Sequence, residues 1–225
     1  YKSNDRSLMR YKSGYQANNI NTHYDWSNWG QFSDAVEMCN NNGACRKLDS
    51  GVMCPSYRVT KEEKDLVRGR ANTLRLALSN QLPEGSFASK DMYETMELCV
   101  SCKACQRECP MSVDMAKMKS EFLSHYYKKF SMRIKDRIIS DMPKLIWLYK
   151  IVNPIINKIK NYPLVSNIIR KFGFATERSL PEVQNQKALK DIYQNQEISE
   201  NKVILFADTF NINFENENLV YAIKV

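Results

Sequence analysis

Glycine is scarce, 7 residues in 225, against a usual share of about 7%. A chain so poor in the residue that supplies tight turns and positive φ fits helices better than a turn-rich β architecture. Histidine is scarcer still: His23 and His125 are the two in the sequence, and neither is placed like a ligand of a zinc finger. Long apolar runs are missing. The longest, "LIWLY" and "IVNPII", fall far short of the roughly 18 residues of a membrane span. No secretory signal is visible, which weakens a disulfide reading of the cysteines. The sequence starts at Tyr1 and its last residues, "ENENLVYAIKV", stop inside an apolar pattern without a helix-ending signal, so it reads as a segment of a longer chain. Hydrophobic content of 43% and charged content of 26% are those of an ordinary folded protein.

What is there is cysteine, in two clusters. "CVSCKACQRECP" holds Cys99, Cys102, Cys105 and Cys109 at steps of three, three and four, then a proline. This is the spacing of an iron–sulfur module. Three cysteines at i, i+3 and i+6 wrap one cluster, and the Cys-Pro cysteine ligates the other cluster of a pair. The upstream "CNNNGACRKLDSGVMCP" supplies Cys39 and Cys45 at i and i+6, with Asn42 at i+3, and Cys54 as its own Cys-Pro residue. Five extra residues precede Cys54 relative to the compact spacing. The crossing rule predicts that Cys54, Cys99, Cys102 and Cys105 hold a complete 4Fe-4S cluster. Cys39, Cys45 and Cys109 then form a second site with three thiolates. That site reads as 3Fe-4S, as 4Fe-4S with a non-cysteine fourth ligand, or as empty. Asn42 stands at the gap, but a carboxamide is a poor ligand for a soft metal. A structural zinc site is the competing reading of the same thiolates. Arg46, Lys47, Lys103 and Arg107 lie in the cysteine loops. They either stabilise an anionic cluster or are solvated loop charges.

Along the chain, residues 1–30 are a polar opening segment, readable as the tail of a preceding domain. Residues 31–130 carry both cysteine motifs in a repeat of helix, cysteine loop, Cys-Pro and helix. A helix is expected at "SDAVEMC", capped by Ser33 or Asp34, and another from Thr60, whose capping box with Glu63 precedes Leu66, Leu74 and Leu78. Ser89 caps the next one, which carries Met92 and Met96 toward Cys99. Cys109-Pro110 opens a last helix, with Met115, Met118, Phe122 and Tyr126 on one face. Residues 131–183 form a basic helical region. Between His125 and Phe172 there are eight Lys and three Arg against Asp136 and Asp141, a local surplus larger than the net +8 of the whole chain. Residues 184–202 read as a linker. In residues 203–225, "VILFAD" reads as a short strand followed by a helix, the start of a truncated α/β domain. The fold class expected is mainly α, an α-helical ferredoxin-like domain.

The stretches "EMCNNNGACRKLDSGVMCPSYRVTKEEKDLVRGRANTLRLAL" and "LCVSCKACQRECPMSVDMAKMKSEFL" resemble the iron–sulfur region of FAD-linked oxidases of the D-lactate and D-2-hydroxyglutarate dehydrogenase type. They also resemble the iron–sulfur subunit of glycolate oxidase. The resemblance is strong over about residues 37–123 and weaker in the C-terminal segment, which is similar to the opening of a cysteine-rich domain. It implies that a flavin domain oxidises a 2-hydroxy acid with FAD, and that the clusters on the seven cysteines pass electrons toward an acceptor such as a quinone. It assigns no catalytic residue to this chain. A ferredoxin-like subunit of another respiratory complex, of the glycerol-3-phosphate dehydrogenase or heterodisulfide-reductase type, is the alternative, and a zinc-stabilised interaction module a third. The expected partners are the flavin domain and the electron acceptor, with no nucleic acid. The location expected is cytoplasmic. The basic stretch "KLIWLYKIVNPIINKIK" allows a peripheral contact with the inner face of the plasma membrane, but packing of its apolar face on the flavin domain is the favoured expectation.

Overall fold

A computed structural model describes residues 14–194 and 203–224. Most of the opening segment's first half, the end of the linker and Val225 lie outside the described residues. Among the described residues the regular structure is all helical, with no strand, as its composition indicated. It divides into two units, Tyr1–Ser131 and Met132–Val225.

The first unit holds α1 (Phe32–Glu37), α2 (Pro55–Thr60), α3 (Val67–Leu78), α4 (Lys90–Glu97), α5 (Ala104–Glu108) and α6 (Met115–Lys129). Its core is one cluster built from the apolar faces of α1, α3, α4 and α6. Phe32 and Val36 of α1, Leu74 and Leu78 of α3, Met92 and Met96 of α4, and Met115, Met118 and Phe122 of α6 are all buried in it. These recur at steps of three and four, the period of a helix with one buried stripe. Ser89 caps α4 by accepting from the Met92 N–H at 3.1 Å, as its position before the apolar run predicts.

Three local expectations are corrected. Gln31, not Ser33 or Asp34, is the residue preceding α1, and Ser33 is buried inside the helix. Thr60 does not start a helix but ends α2. Lys61 after it is left-handed, and α3 begins only at Val67. The Thr60 hydroxyl bonds instead to Asp65 Oδ2 at 2.7 Å, so the buried Asp65 takes the hydroxyl that a capping box would use. Pro55 does open α2, but Pro110 opens nothing. The chain makes a turn there, and α6 starts five residues later, where the Asp114 carboxylate accepts from the Lys117 N–H at 3.0 Å.

The second unit holds α7 (Ile134–Ser140), α8 (Met142–Ile159), α9 (Pro163–Lys171), α10 (Lys187–Gln194), α11 (Thr209–Asn213) and α12 (Asn216–Lys224). The strand expected in "VILFAD" is not formed. Residues 203–208 carry no regular structure, and Val203, Ile204 and Phe206 are exposed. A strand needs a partner to satisfy its backbone groups, and the described residues offer none. Asp208, read as the acid at its end, instead caps α11 through the N–H groups of Phe210 and Asn211.

Candidate metal centre

Each cysteine loop contains several left-handed residues. Asn41, Cys54, Ser101, Lys103 and Ser112 all have positive φ, and they are five of the seven non-glycine residues that do so among the described residues. Each such residue costs on the order of 1–3 kcal/mol and persists only where its surroundings over-determine it. Their concentration around the thiols marks this region as the strained part of the unit.

Cys54, Cys99, Cys102 and Cys105 line one recess, together with Val67 and Arg70 from α3 and Met115 and Ala116 from α6. Its empty space is about 320 Å³, part of it open to solvent. Cys54 and Cys105 are buried, Cys99 is half-buried and Cys102 is exposed at the rim. Cys39 lies close enough to Cys45 to raise the energy of charging it. Both are buried, and Cys109, half-buried after α5, packs against the same core. Cys54 lies near enough to both Cys45 and Cys105 that each opposes its ionisation. No disulfide joins any of the seven.

The starts of the two long helices point at sulfur. The Val67 N–H, first in α3, donates to Cys54 Sγ at 3.3 Å, and the next N–H, that of Arg68, bonds Cys45. In α6 the first two N–H groups, of Met115 and Ala116, bond Cys105. Helix N-termini have unpaired N–H groups and the positive end of the dipole, so they stabilise negative charge on sulfur. In the protein alone these donors do not prevail. Burial pushes the Cys54 thiol up to about 12 despite the Val67 N–H, and burial likewise raises Cys45 and Cys105. The sulfurs are therefore protonated until a metal displaces the proton.

The loop before Cys54 is clamped from both sides. The Glu108 carboxylate, next to Cys109, accepts from the N–H groups of Val52 at 2.9 Å and Met53 at 3.0 Å. The Arg58 guanidinium of α2 donates to the carbonyls of Leu48, Ser50 and Gly51. Gly51 is needed here: its φ is +73°, and a Cβ would lie 2.3 Å from Glu108 Oε2. The five extra residues of the upstream motif are thus a clasped loop that carries Cys54 back toward the downstream motif.

Two charges from α3 escaped the sequence reading. Arg70 is 1% exposed, lines the recess and donates to the Thr95 carbonyl at 3.0 Å, the Asp65 carbonyl at 2.7 Å and the Ser56 hydroxyl at 3.2 Å. Asp65, itself fully buried, sits 3.5 Å from it. Arg68 pairs with Glu63 at 2.6 Å and acts on Cys45 and Cys39 by charge. Sequence reasoning looked for cations between the cysteines, whereas the nearest ones follow the Cys-Pro segment by 14 and 16 residues. Of the loop cations named from sequence, Lys103 lines the recess; Arg46, Lys47 and Arg107 are exposed. Asn42 is taken up by its own loop, with its carboxamide bonded to Asn40 and to the Ala44 N–H. Asn41 is the one that accepts from Cys39 Sγ, at 3.8 Å, and from Asn72 of α3 at 2.8 Å.

Whether these residues fit an iron–sulfur cluster follows from the donor set. Four thiols around one recess, with amide N–H groups on two of them, Cys54 and Cys105, suit a large anionic inorganic core bound through soft ligands.

Residues 35–113 match the 4Fe-4S dicluster domain family. The chain is similar to the D-2-hydroxyglutarate dehydrogenase of Escherichia coli (strain K12), 26% identical over 176 residues, which cover 63% of this chain and 17% of that one. It is similar also to that of Pseudomonas putida, 27% identical over 146 residues, covering 51% of this chain and 14% of the relative. The Pantoea ananatis protein of the same name is 28% identical over 137 residues, 45% of this chain and 13% of its own. The chain therefore spans about a sixth or less of the length of these curated relatives. No solved structure matches it. The resemblance to the iron–sulfur region of FAD-linked oxidases, drawn from the cysteine motifs, is borne out.

Proposed function

We propose that this chain is the electron-transfer segment of an FAD-linked dehydrogenase acting on a 2-hydroxy acid, with D-2-hydroxyglutarate as the first substrate to test. In this reading Cys54, Cys99, Cys102 and Cys105 hold a 4Fe-4S cluster, and Cys39, Cys45 and Cys109 hold a second cluster through three thiolates. When bound, such clusters exchange electrons one at a time, which suits them to relay a flavin's electron pair to an acceptor such as a quinone.

The observation that carries the proposal is the recess lined by four thiols from both cysteine motifs, flanked by the first N–H groups of α3 and α6. The chain's residues then have distinct tasks. Val67, Arg68, Met115 and Ala116 offer N–H groups to sulfur, which lowers the cost of negative charge there. Arg68 and Arg70 add positive charge on the α3 side, and this raises the potential of the cluster beside each. The buried setting of Cys39, Cys45, Cys54 and Cys105 excludes water from most of both groups. Burial of the redox centres with one rim thiol exposed leaves Cys102 as the shortest way to the surface.

The test is EPR of the anaerobically purified chain, as isolated and after dithionite, with iron and sulfide analysis on the same samples. Iron and sulfide in near-equal amounts, with a reduced 4Fe-4S signal, is the expected result. A signal in the oxidised sample identifies the three-thiolate site as 3Fe-4S. Two interacting reduced signals identify it as 4Fe-4S. A colourless, zinc-containing protein overturns the proposal. For the whole enzyme, the expected result is cluster reduction on adding D-2-hydroxyglutarate to the flavin-loaded parent protein.

A further inference from the structure

The helix α8 packs through a mixed face, in which Tyr149, Asn153 and Asn157 lie among the half-buried Ile146, Val152 and Ile156. Asn153 is buried and donates to the Pro181 carbonyl at 2.8 Å, and Tyr149 Oη donates to the same carbonyl at 3.0 Å. Asn157 bonds Leu180 both ways, donating to its carbonyl at 3.0 Å and accepting from its N–H at 2.9 Å. This strap of hydrogen bonds fixes the rotation of the helix about its axis. It therefore forces the opposite stripe outward.

That stripe is apolar. Leu145, Leu148, Ile151, Ile155 and Ile159 follow at steps of three and four and are all exposed, Ile151 to 60%. Trp147 beside them is 63% exposed. In α9, Leu164, Ile168 and Phe172 repeat the pattern at steps of four and are exposed as well. Tyr162, between the two helices, is 64% exposed. An outward apolar stripe on two successive helices is not what a helix packed only on its own chain shows.

The charge around the stripe is mainly positive, with Asp141 and Glu177 at its two ends pairing with Lys144 at 3.4 Å and Arg170 at 2.9 Å. From Met142 to Thr176 the sequence has no Asp or Glu, but it has Lys144, Lys150, Lys158, Lys160, Arg170 and Lys171. Lys144 and Lys158 lie on the stripe's own side of α8, one turn from Leu148 and Ile155. Lys150 and Lys158 are exposed and form no ion pair among the described residues. Lysine is depleted from the cores of protein–protein interfaces. At a bilayer it lays its stem along the apolar layer and reaches the phosphates with its ammonium. Exposed Trp and Tyr suit the same boundary. No helix among the described residues is long and apolar enough to cross a membrane, so such a face would lie on the surface and not span it.

We propose that the outward face of α8 and α9 docks on an anionic lipid bilayer. The inference does not rest on the cluster reading, because both helices lie in the second unit. It weighs against burial of this stripe on a flavin domain, the expectation favoured from sequence. A domain interface would bury Lys158 with no acid of this chain beside it, although Lys144 has Asp141 at 3.4 Å.

The experiment is flotation of the purified chain with vesicles of phosphatidylcholine alone and with added phosphatidylglycerol, at about 50 mM and about 300 mM salt, a range that shortens the screening length severalfold or less. Binding to the anionic vesicles at low salt, weakened at high salt and absent from phosphatidylcholine, is expected. Lys144→Glu and Lys158→Glu together should weaken it by at least about tenfold, since each basic residue near such a surface contributes about 1 kcal/mol. Ile151→Glu should abolish it while leaving the helical circular dichroism unchanged, because the side chain is already exposed. Equal binding to both vesicle types overturns the charge argument. No binding to either, or a second copy covering the stripe in sedimentation equilibrium, overturns the proposal.

Discussion

The two cysteine motifs of the first unit start from the same Cys-Pro dipeptide and use it differently. After Cys54, Pro55 begins α2 at once, and a second, longer helix follows at Val67. After Cys109, Pro110 enters a turn, and the long helix starts at Met115. What the halves share is the next step: in both, the first N–H groups of the long helix reach a buried sulfur. The proline is thus a local stop with a variable sequel, while the helix N-terminus is the common element, because unpaired N–H groups meet a charge requirement that proline does not. The halves differ also in what their long helices bury. α3 buries the cation Arg70, and α6 buries the anion Glu121.

The largest expected effect separates the halves by their ligands. Cys54→Ser should remove the signal of the four-thiolate cluster and lower the chain's stability, because binding energy at a metal site is folding energy. Cys109→Ser should deplete the three-thiolate site first and leave the other signal. The reverse assignment in EPR would mean that each motif keeps its own Cys-Pro cysteine.

The buried charges come next. Asp65→Ala leaves Arg70 without its carboxylate in a site 1% exposed, and should cost about 3–5 kcal/mol in urea unfolding. A loss under about 1 kcal/mol would show that the carbonyls of Asp65 and Thr95 suffice. On the α6 side, Glu121 accepts from the N–H groups of His23 at 2.9 Å and Tyr24 at 3.1 Å and from Trp26 Nε1 at 3.1 Å. Burial alone would raise its carboxyl, but these donors and His125 hold it below its usual 4.5. A depressed carboxyl stabilises the fold above its unfolded value, and that stability is lost as pH falls from about 4.5 through the folded one. Glu121→Gln should therefore flatten the acid side of the stability profile. An unchanged slope below pH 4.5 in thermal melts would assign the acid loss elsewhere.

The smallest effects probe the clasp and a cap. Gly51→Ala places a Cβ against Glu108 at a positive φ and should cost about 1–3 kcal/mol. Glu108→Ala leaves two N–H groups without their acceptor and should cost about as much, with the four-thiolate signal broadened. If both variants match the wild type, the loop is not what positions Cys54. Ser89→Ala, which touches the α4 cap alone, should cost about 1 kcal/mol without changing any cluster signal.

Much of the first unit was legible in the sequence. The apolar steps through Met92, Met96, Met115, Met118 and Phe122 named buried faces directly, since a helix buries what recurs every three or four residues. Ser89 was legible as a cap for the same local reason. Thr60 was not, because its hydroxyl turns to the buried Asp65 five residues on, and not to the three-residue offset that a capping box uses. The segment "VILFAD" failed likewise: its composition suits a strand, but pairing is a property of two segments.

The sequence by itself carried the iron–sulfur signal. Seven cysteines at those steps, with two histidines out of register, point to soft thiolate ligation, and residues 35–113 match the 4Fe-4S dicluster domain family. It also determined the helical class, through period and through the shortage of glycine. Only the tertiary structure decided which charges and donors meet the sulfurs. Arg68, Arg70, Glu108 and the starts of α3 and α6 arrive there by packing, and contacts between segments far apart in the chain carry no local signature. The same holds for α8. Its amphipathic period was legible, but which face turns outward was set by hydrogen bonds from Tyr149, Asn153 and Asn157 to a strap more than twenty residues away.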